Sequence, residues 1–259
     1  MCIRDRAFAD GELVTLGRDH DAAAALGAIP AARRAGFDRL SVDLIYAIPG
    51  LTTRAWERTL ARALELAPDH LSLYQLTVEP QTPLAEAVHR GKVTPAPDEL
   101  SAEQFELAHA RLGAAGYEHY EVSAYARPGA RAVHNSLYWT GGEYLGIGNG
   151  AASFLQDTPE RGLRFTAHRS AARWLSAHPS ADLHQDPRIA EITHQDAAAL
   201  RADRIWLGLR TSDGIPADWV DAARAERCLA AGLVTRIADR LCPTPKGLLC
   251  ADELGAELS

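Results

Sequence analysis

Two apolar runs separated by one amphipathic segment restrict the possible folds of this chain more than any other feature. Residues 39–46 and 70–77 are rich in β-forming side chains. Between them, residues 54–66 place Trp56, Leu60 and their neighbours at helical spacing on one apolar face. A strand, a helix and a second strand in this arrangement form a βαβ unit, whose strands run parallel. We therefore predict an α/β fold.

The middle of the chain predicts more mixed structure. Residues 98–115 have the pattern of a helix, and residues 117–123 predict a third strand. Residues 80–97 contain four of the fourteen prolines and predict a long irregular loop. Residues 157–194 are polar and interrupted by proline, which predicts a connector with one short helix near Trp174.

The tail has a different pattern. Residues 195–210 and 217–231 predict helices, and two short strand-like runs follow on either side of Asp239. A last helix begins near Lys246. Two helices, a hairpin and a final helix outline a small winged-helix unit.

Composition excludes several classes of protein. The chain has 27 Lys and Arg against 34 Asp and Glu, a formal net charge of −7, so it has no general attraction to nucleic acid or anionic lipid. No apolar stretch approaches the roughly 20 residues of a membrane span. The four cysteines form no C-x-x-C pair, and we expect reduced thiols in a cytoplasmic protein.

Candidate functional residues cluster where the predicted strands end. Asp43 interrupts an apolar strand near its carboxyl end, the edge at which parallel α/β folds place their sites. Residues 46–50 and 79–83 follow the two strand ends and should lie at the same rim. A structural carboxylate and rigid turns explain the same residues almost equally well.

His134, Asn135, Tyr138 and Trp139 form the sharpest motif in the chain. Neutral imidazole is a good ligand for iron, and the two aromatic rings offer flat faces to a planar ligand. Five glycines follow within residues 141–150, but their spacing is neither a dinucleotide fingerprint nor a P-loop. We expect them to let backbone approach a ligand. A hydrogen-bonding histidine beside core aromatics remains the competing interpretation.

Four motifs in sequence resemble the HemW family of haem chaperones, which is related to oxygen-independent coproporphyrinogen III oxidase and belongs to the radical SAM proteins. The motifs are Asp43-Leu-Ile-Tyr-Ala-Ile-Pro-Gly, Leu-Tyr-Gln-Leu-Thr77-Val-Glu-Pro, His134-Asn135-x-x-Tyr138-Trp139 and Tyr144-Leu-Gly-Ile-Gly-Asn-Gly-Ala-Ala-Ser. The tail from Asp203 onward is similar to the family's HemN C-terminal domain.

The resemblance implies a partial radical SAM (β/α) barrel lacking its first strands, followed by a small, mainly α, winged-helix-like domain. We assign residues 7–156 to the barrel, including the His-Asn-x-x-Tyr-Trp segment, residues 157–194 to the connector and residues 195–259 to the C-terminal domain. Residues 1–6 match nothing in the family and are expected to be an artefact.

Family members bind S-adenosylmethionine (SAM) and a [4Fe–4S] cluster held by a C-x-x-x-C-x-x-C motif. That motif is absent here. The resemblance therefore implies that the chain corresponds to the C-terminal two-thirds of a HemW-like protein. We expect this chain by itself to be inactive in radical chemistry, and whether the intact protein is an enzyme stays open.

The resemblance also implies roles for particular residues. Residues that face SAM in the family fall on Arg18, Asp43, Thr77 and Ala152, and a further contact, normally Gln, falls on Arg6 and is expected to be lost. Haem binding falls on His134 as the iron ligand, with Asn135, Tyr138 and Trp139 shaping the pocket. At the rim, Ala47 stands where the family usually has Gly, and Leu51 where it has Gln.

The resulting function hypothesis is a haem chaperone that delivers haem to acceptor proteins, which family resemblance identifies as respiratory haem proteins. Peripheral membrane association and a homodimer are left open. One alternative is a coproporphyrinogen oxidase-like enzyme of porphyrin biosynthesis. Another is a winged-helix nucleic-acid binder, although residues 195–259 show no excess of basic residues and we expect no nucleic-acid partner.

Overall fold

The computed structural model describes residues 2–180 and 182–259, with side chains from Arg6 onward. The chain forms two compact units that divide between Ala132 and Val133. This division places the His134 motif at the start of the second unit rather than within the barrel segment assigned from the sequence. The family-level domain boundaries stay a prediction.

A five-stranded sheet organises the first unit. Its strand order is β1-β2-β3-β5-β4. The first three strands are β1 (Cys2–Arg6), β2 (Ser41–Tyr46) and β3 (His70–Gln75), and they pair in parallel. The predicted βαβ unit is therefore confirmed. Five of the six opening residues that were expected to be an artefact, Cys2–Arg6, form a strand paired with β2.

The register of β2 on β3 separates polar from apolar side chains. Asp43 pairs with Ser72, and Leu44 pairs with Leu73. Because side chains alternate between the two faces of a strand, Asp43 and Ser72 lie on one face while Leu44 and Leu73 lie on the other. The apolar face packs on helices, as the contact between the rings of Tyr46 and Trp56 shows (centroids 5.8 Å apart).

Five helices surround this sheet, and three of them begin with a side-chain cap. Asp21, Thr52 and Thr82 each accept a hydrogen bond from a main-chain N–H in the first turn of the helix that follows. The helices are α1 (Asp10–Thr15), α2 (Ala22–Arg34), α3 (Thr53–Glu65), α4 (Pro83–His89) and α5 (Asp98–Ala114).

Two sequence predictions for this unit need correction. The loop predicted for residues 80–97 contains α4, because Thr82 caps it and Pro83 occupies its first turn, where proline is tolerated. The third strand ends early: β4 (Glu118–Glu121) turns back into β5 (Ala124–Ala126). The connection is too short for a parallel crossover, so β5 runs antiparallel to both β4 and β3.

A buried glutamine fastens the loop that leaves β2. Ala47 takes the left-handed conformation (φ +56°), which favours glycine. Its main-chain N–H donates to Gln104 Oε1 (2.8 Å), and Gln104 Nε2 donates to the Leu51 carbonyl (3.0 Å). Trp56 Nε1 donates to the Gln104 carbonyl (2.9 Å). Gln104 is completely buried, so these bonds hold the rim of the sheet without help from water.

The second unit begins with α6 (Val133–Trp139) and continues into a three-stranded antiparallel sheet. Its strands are β6 (Ala152–Thr158), β7 (Arg161–Ala167) and β8 (Ile189–Gln195), in the order β6-β7-β8. The prediction of an irregular connector over residues 157–194 is therefore wrong, because β7 and most of β8 lie within it. Its short helix near Trp174 exists as α7 (Ala171–Ser176).

The tail adopts the winged-helix outline. Helices α8 (Ala197–Gly208) and α9 (Ala222–Ala230) precede the hairpin of β10 (Val234–Ile237) and β11 (Arg240–Pro243). A short strand that the sequence did not predict, β9 (Ile215–Pro216), completes a three-stranded sheet. Helices α10 (Pro245–Leu249) and α11 (Ala251–Leu258) close the chain, and Cys228 is buried in this core. In the described part of the chain, none of the helices has the length and apolar content to cross a bilayer.

Three buried or half-buried histidines of the first unit predict acid sensitivity. Burial lowers the pKa of His70, His109 and His119, and that of His119 to about 4. Histidines of the unfolded chain bind protons near pH 6.5, whereas these histidines of the folded chain bind them only at lower pH. The free energy of unfolding is therefore highest above pH 6.5 and falls as the pH drops towards 4. We expect a loss on the order of 2–3 kcal/mol between pH 7 and pH 4.5 in urea unfolding. His119→Gln should reduce this slope, and an unchanged slope would contradict the assignment.

Removal of the Gln104 side-chain amide tests how the rim is held. Gln104→Leu leaves the buried Ala47 N–H and Leu51 carbonyl without partners, and we expect it to lower the free energy of unfolding by about 1–3 kcal/mol. Glu103→Leu, on the exposed side of the same helix, is the matched control and should change stability by less than about 0.5 kcal/mol. Equal effects of the two variants would show that the rim does not depend on Gln104.

Candidate functional site

Asp43 lies on the polar face of the first-unit sheet. It is buried, and Arg6 Nη1 lies 3.8 Å from its Oδ2. The Arg6 guanidinium also lies over the ring of Tyr74, 5.6 Å from its centroid. Tyr74 is 41% exposed, and Ser72 pairs with Asp43 across the strands. A buried carboxylate beside a cation and an exposed aromatic ring can bind a polar ligand with a flat group.

The start of the same strands holds a different polar group. His70 contacts Ser41 Oγ through Nδ1 (2.8 Å) and Tyr120 Oη through Nε2 (2.7 Å). Tyr120 Oη also accepts from the main-chain N–H of Ala132 (3.1 Å). Because both ring nitrogens of His70 are engaged by protein atoms, this histidine has a structural role.

The other residues that the resemblance assigns to SAM are less enclosed. Arg18 is exposed after α1, where its main-chain N–H donates to the Leu13 carbonyl (2.9 Å). Thr77 is exposed two residues beyond the end of β3. Ala152 begins β6 in the second unit. Asp43 is the one buried side chain of the four.

The residues present do not fit an iron–sulfur cluster. Cys228 and Cys242 are buried and Cys250 is half-buried, and all three lie in the winged-helix part. Across the residues that the structure describes, His, Cys, Asp and Glu side chains form no group of three or more that could hold a metal ion. Burial also raises the pKa of the Cys228 and Cys242 thiols, which disfavours the thiolate that metals require.

Helix α6 presents the predicted haem-binding motif. His134 and Asn135 are exposed, whereas Tyr138 and Trp139 are half-buried. His134 Nε2 lies 3.0 Å from Tyr138 Oη, one helical turn away. This hydrogen bond fixes the imidazole against the tyrosine and leaves the ring accessible from solvent. Trp139 Nε1 is buried and has no acceptor within the described part of the chain.

A row of aromatic rings leads from this motif into the unit. The Tyr138 ring meets Tyr144 edge-on, with centroids 4.6 Å apart, and Tyr144 lies 6.4 Å from Phe154. Tyr144 also pairs with Phe154 through reciprocal main-chain hydrogen bonds. Phe154 belongs to the core (5% exposed), whereas Tyr138 and Tyr144 are half-buried.

A pocket of about 230 Å³ opens beside this row. Arg164 Nη2 bonds to Asp203 Oδ2 (3.0 Å), whereas Arg204 Nη2 donates to the neutral Gln156 Oε1 (3.3 Å). Sequence reasoning missed both arginines because they lie in segments interpreted as connector and tail. The pocket is lined by Tyr138, Gly141, Gly142, Tyr144, Phe154, Arg164, Leu200, Asp203, Arg204 and Leu207.

Two glycines of the run are required by close approaches within the protein itself. A Cβ at Gly142 would lie 2.3 Å from Leu137 Cδ1, and a Cβ at Gly146 would lie 2.2 Å from the Ala152 carbonyl oxygen. We expected the glycines to let backbone approach a ligand. At these two positions, contact with the chain's own helix and strand is enough to require glycine.

Comparison with known proteins finds similar sequences among the HemW heme chaperones and the radical S-adenosyl methionine domain-containing proteins. A heme chaperone HemW of Mycobacterium tuberculosis is 36% identical over 248 residues, which cover 93% of this chain and 60% of that protein. A heme chaperone HemW of Bacillus subtilis is 30% identical over 210 residues, covering 81% and 53%. The mitochondrial radical S-adenosyl methionine domain-containing protein 1 of Bos taurus is 46% identical over 143 residues, covering 55% and 32%. The chain thus spans about 60% of the Mycobacterium relative.

Among solved structures, the radical SAM enzyme coproporphyrinogen III oxidase (HemN) of Escherichia coli matches with a TM-score of 0.72 at 18% identity, covering 99% of this chain and 63% of that one. That likeness shows the fold, and the predicted partial radical SAM barrel is confirmed as an α/β fold with an open sheet. No model of a known protein family matches the chain. The extent of the sequence identity nevertheless shows that this chain is homologous to the HemW heme chaperones.

Proposed function

We propose that this chain provides the haem-handling part of a HemW-type chaperone, which binds haem and passes it to acceptor proteins. The observation that supports this most directly is the geometry of α6. An exposed imidazole, His134, stands at the head of an aromatic row and is held in place by Tyr138. Exposure suits a carrier, since cargo that must be handed on cannot be sealed inside the protein.

In this proposal His134 ligates the haem iron. Neutral imidazole is the form that binds iron. Release of Nε2 from the hydroxyl of Tyr138 frees that nitrogen for the metal. The hydroxyl remains beside the new ligand as a hydrogen-bonding neighbour. Asn135 and Trp139 contribute polar groups next to it, including the unengaged indole N–H of Trp139.

The SAM-facing residues of the proposal in the first unit are Arg18, Asp43 and Thr77. Ala152, which the resemblance also assigns to SAM, lies in the second unit. SAM supplies a charged amino-acid end and an adenosine when bound. Asp43 can accept hydrogen bonds from an amine or a ribose, and Tyr74 offers a flat face beside it. Arg6, which is paired with Asp43, would have to yield that carboxylate. No residue of the chain is proposed for the cluster.

The partners that follow are proteins that accept haem, with respiratory haem proteins as the proposed class. A cytoplasmic location belongs to the same proposal. A homodimer and peripheral membrane association have no specific observation in their favour here.

Haem titration of His134→Ala tests the iron ligand. In the wild-type chain we expect a shifted Soret band on addition of ferric haem, and in the variant we expect that shift to disappear or the affinity to fall at least about tenfold, the equivalent of about 1.4 kcal/mol. His178→Ala removes another exposed histidine of the second unit and should behave as wild type. A Soret shift that survives His134→Ala unchanged would rule out this ligand.

A further inference from the structure

We propose that Arg204, in the pocket beside α6, binds a carboxylate of the tetrapyrrole cargo. This inference rests on the proposed function and deepens it. Haem carries two propionate carboxylates on one edge of its ring, so a carrier that holds the iron with a histidine also has to accommodate these charges. Arginine binds carboxylates through a planar pair of N–H donors.

Arg204 differs from its neighbour Arg164 in how its charge is balanced. The Arg164 guanidinium is already paired with Asp203 at 3.0 Å. The Arg204 guanidinium reaches only the amide oxygen of Gln156, at 3.3 Å, which leaves its charge without a carboxylate partner among the described residues. A half-buried cation bonded to a neutral amide favours an anionic ligand that can replace or supplement the amide.

Asp203 also lines the pocket, but its carboxylate is already paired with protein groups. Its Oδ2 accepts from Arg164 and from Gln195 Nε2. Glu143 lies in the same network and accepts the main-chain N–H of Gln156 (2.6 Å). The two arginines and one paired aspartate that line the pocket leave one positive charge there. An incoming carboxylate would neutralise it.

The size of the pocket fits one edge of a porphyrin. Sites for whole small-molecule ligands occupy about 300–1,000 Å³. This pocket measures about 230 Å³, so it can admit a substituent-bearing edge while most of the macrocycle stays outside. The walls of Tyr138, Tyr144 and Phe154 provide apolar contact for the carbon part of such an edge.

The pocket is linked to the iron ligand by direct contacts. Tyr138 hydrogen-bonds His134 through its hydroxyl and lines the pocket with its ring. Gly141, two residues after α6, is in the left-handed conformation (φ +68°), and a Cβ there would lie 3.7 Å from Arg204 Cγ. The turn that follows the motif helix thus lies beside the stem of the arginine. A ligand edge bound in the pocket would therefore lie against Tyr138, the residue that contacts His134.

The test compares ferric haem with its dimethyl ester, in which both carboxylates are capped. The wild-type chain and the variants Arg204→Leu, Arg204→Lys and His134→Ala are titrated with each ligand, and Arg201→Leu, one turn earlier on the same helix, serves as the matched charge control. Arg201 instead donates to the Trp219 carbonyl (2.9 Å). Thermal melting of each variant verifies that it folds.

We expect the wild-type chain and Arg201→Leu to bind haem about tenfold or more tightly than the ester. Arg204→Leu should bind both ligands alike, at the affinity of the ester, and Arg204→Lys should keep part of the preference. Retention of the full preference by Arg204→Leu would overturn the inference while leaving the function intact. An iron spectrum that His134→Ala leaves unchanged would instead overturn the proposed function, and so would the absence of any haem binding by the wild-type chain.

Discussion

The parallel pairing of β2 with β3 is the constraint on which the first unit depends. Because the two strands run side by side in one register, their alternating side chains divide into two layers. Val42, Leu44 and Leu71 are buried against the helices, and Asp43 and Ser72 face the opposite way. A slip of one residue would turn Asp43 into the helix layer and Leu44 into the polar one, at the cost of a buried unpaired charge. The register that buries the apolar face of the sheet therefore also places Asp43 and Ser72 on the candidate ligand face.

The second unit uses the same alternation in an antiparallel sheet. Phe154 is opposite Arg164 and Ser153 is opposite Phe165, so neighbouring positions serve different faces. Phe154 and Arg164 line the pocket beside α6, while Phe165 lines a separate apolar pocket of about 250 Å³ with Trp174 and Ile189. The glycine run makes this compact arrangement possible, because Gly142 and Gly146 allow the chain to pass against Leu137 and Ala152 without a side chain between them.

The sequence predicts the βαβ unit, the winged-helix outline and the motif that lies on α6, because each depends on local periodicity or on residues close together in the chain. It misses β7 and β8 because these strands have few apolar side chains of their own. Their pairing with neighbouring strands of the sheet stabilises them. It misses the β4–β5 hairpin, since the short turn between them has no glycine or proline. Gln104 and Arg204 matter through contacts 57 and 48 residues away in the chain, which no local pattern encodes. A polar residue within the apolar face of α5 is the one signal that could have revealed Gln104.

The central claim is that haem binds to the second unit at α6 and the strand that follows it. Hydrogen–deuterium exchange of the chain, measured with and without ferric haem, tests this by location. We predict slower exchange in peptides that cover residues 133–154, because a bound macrocycle would shield α6 and stabilise its contacts with Tyr144 and Phe154. Protection confined to β2 and β3, or none anywhere in residues 133–154, would contradict the account.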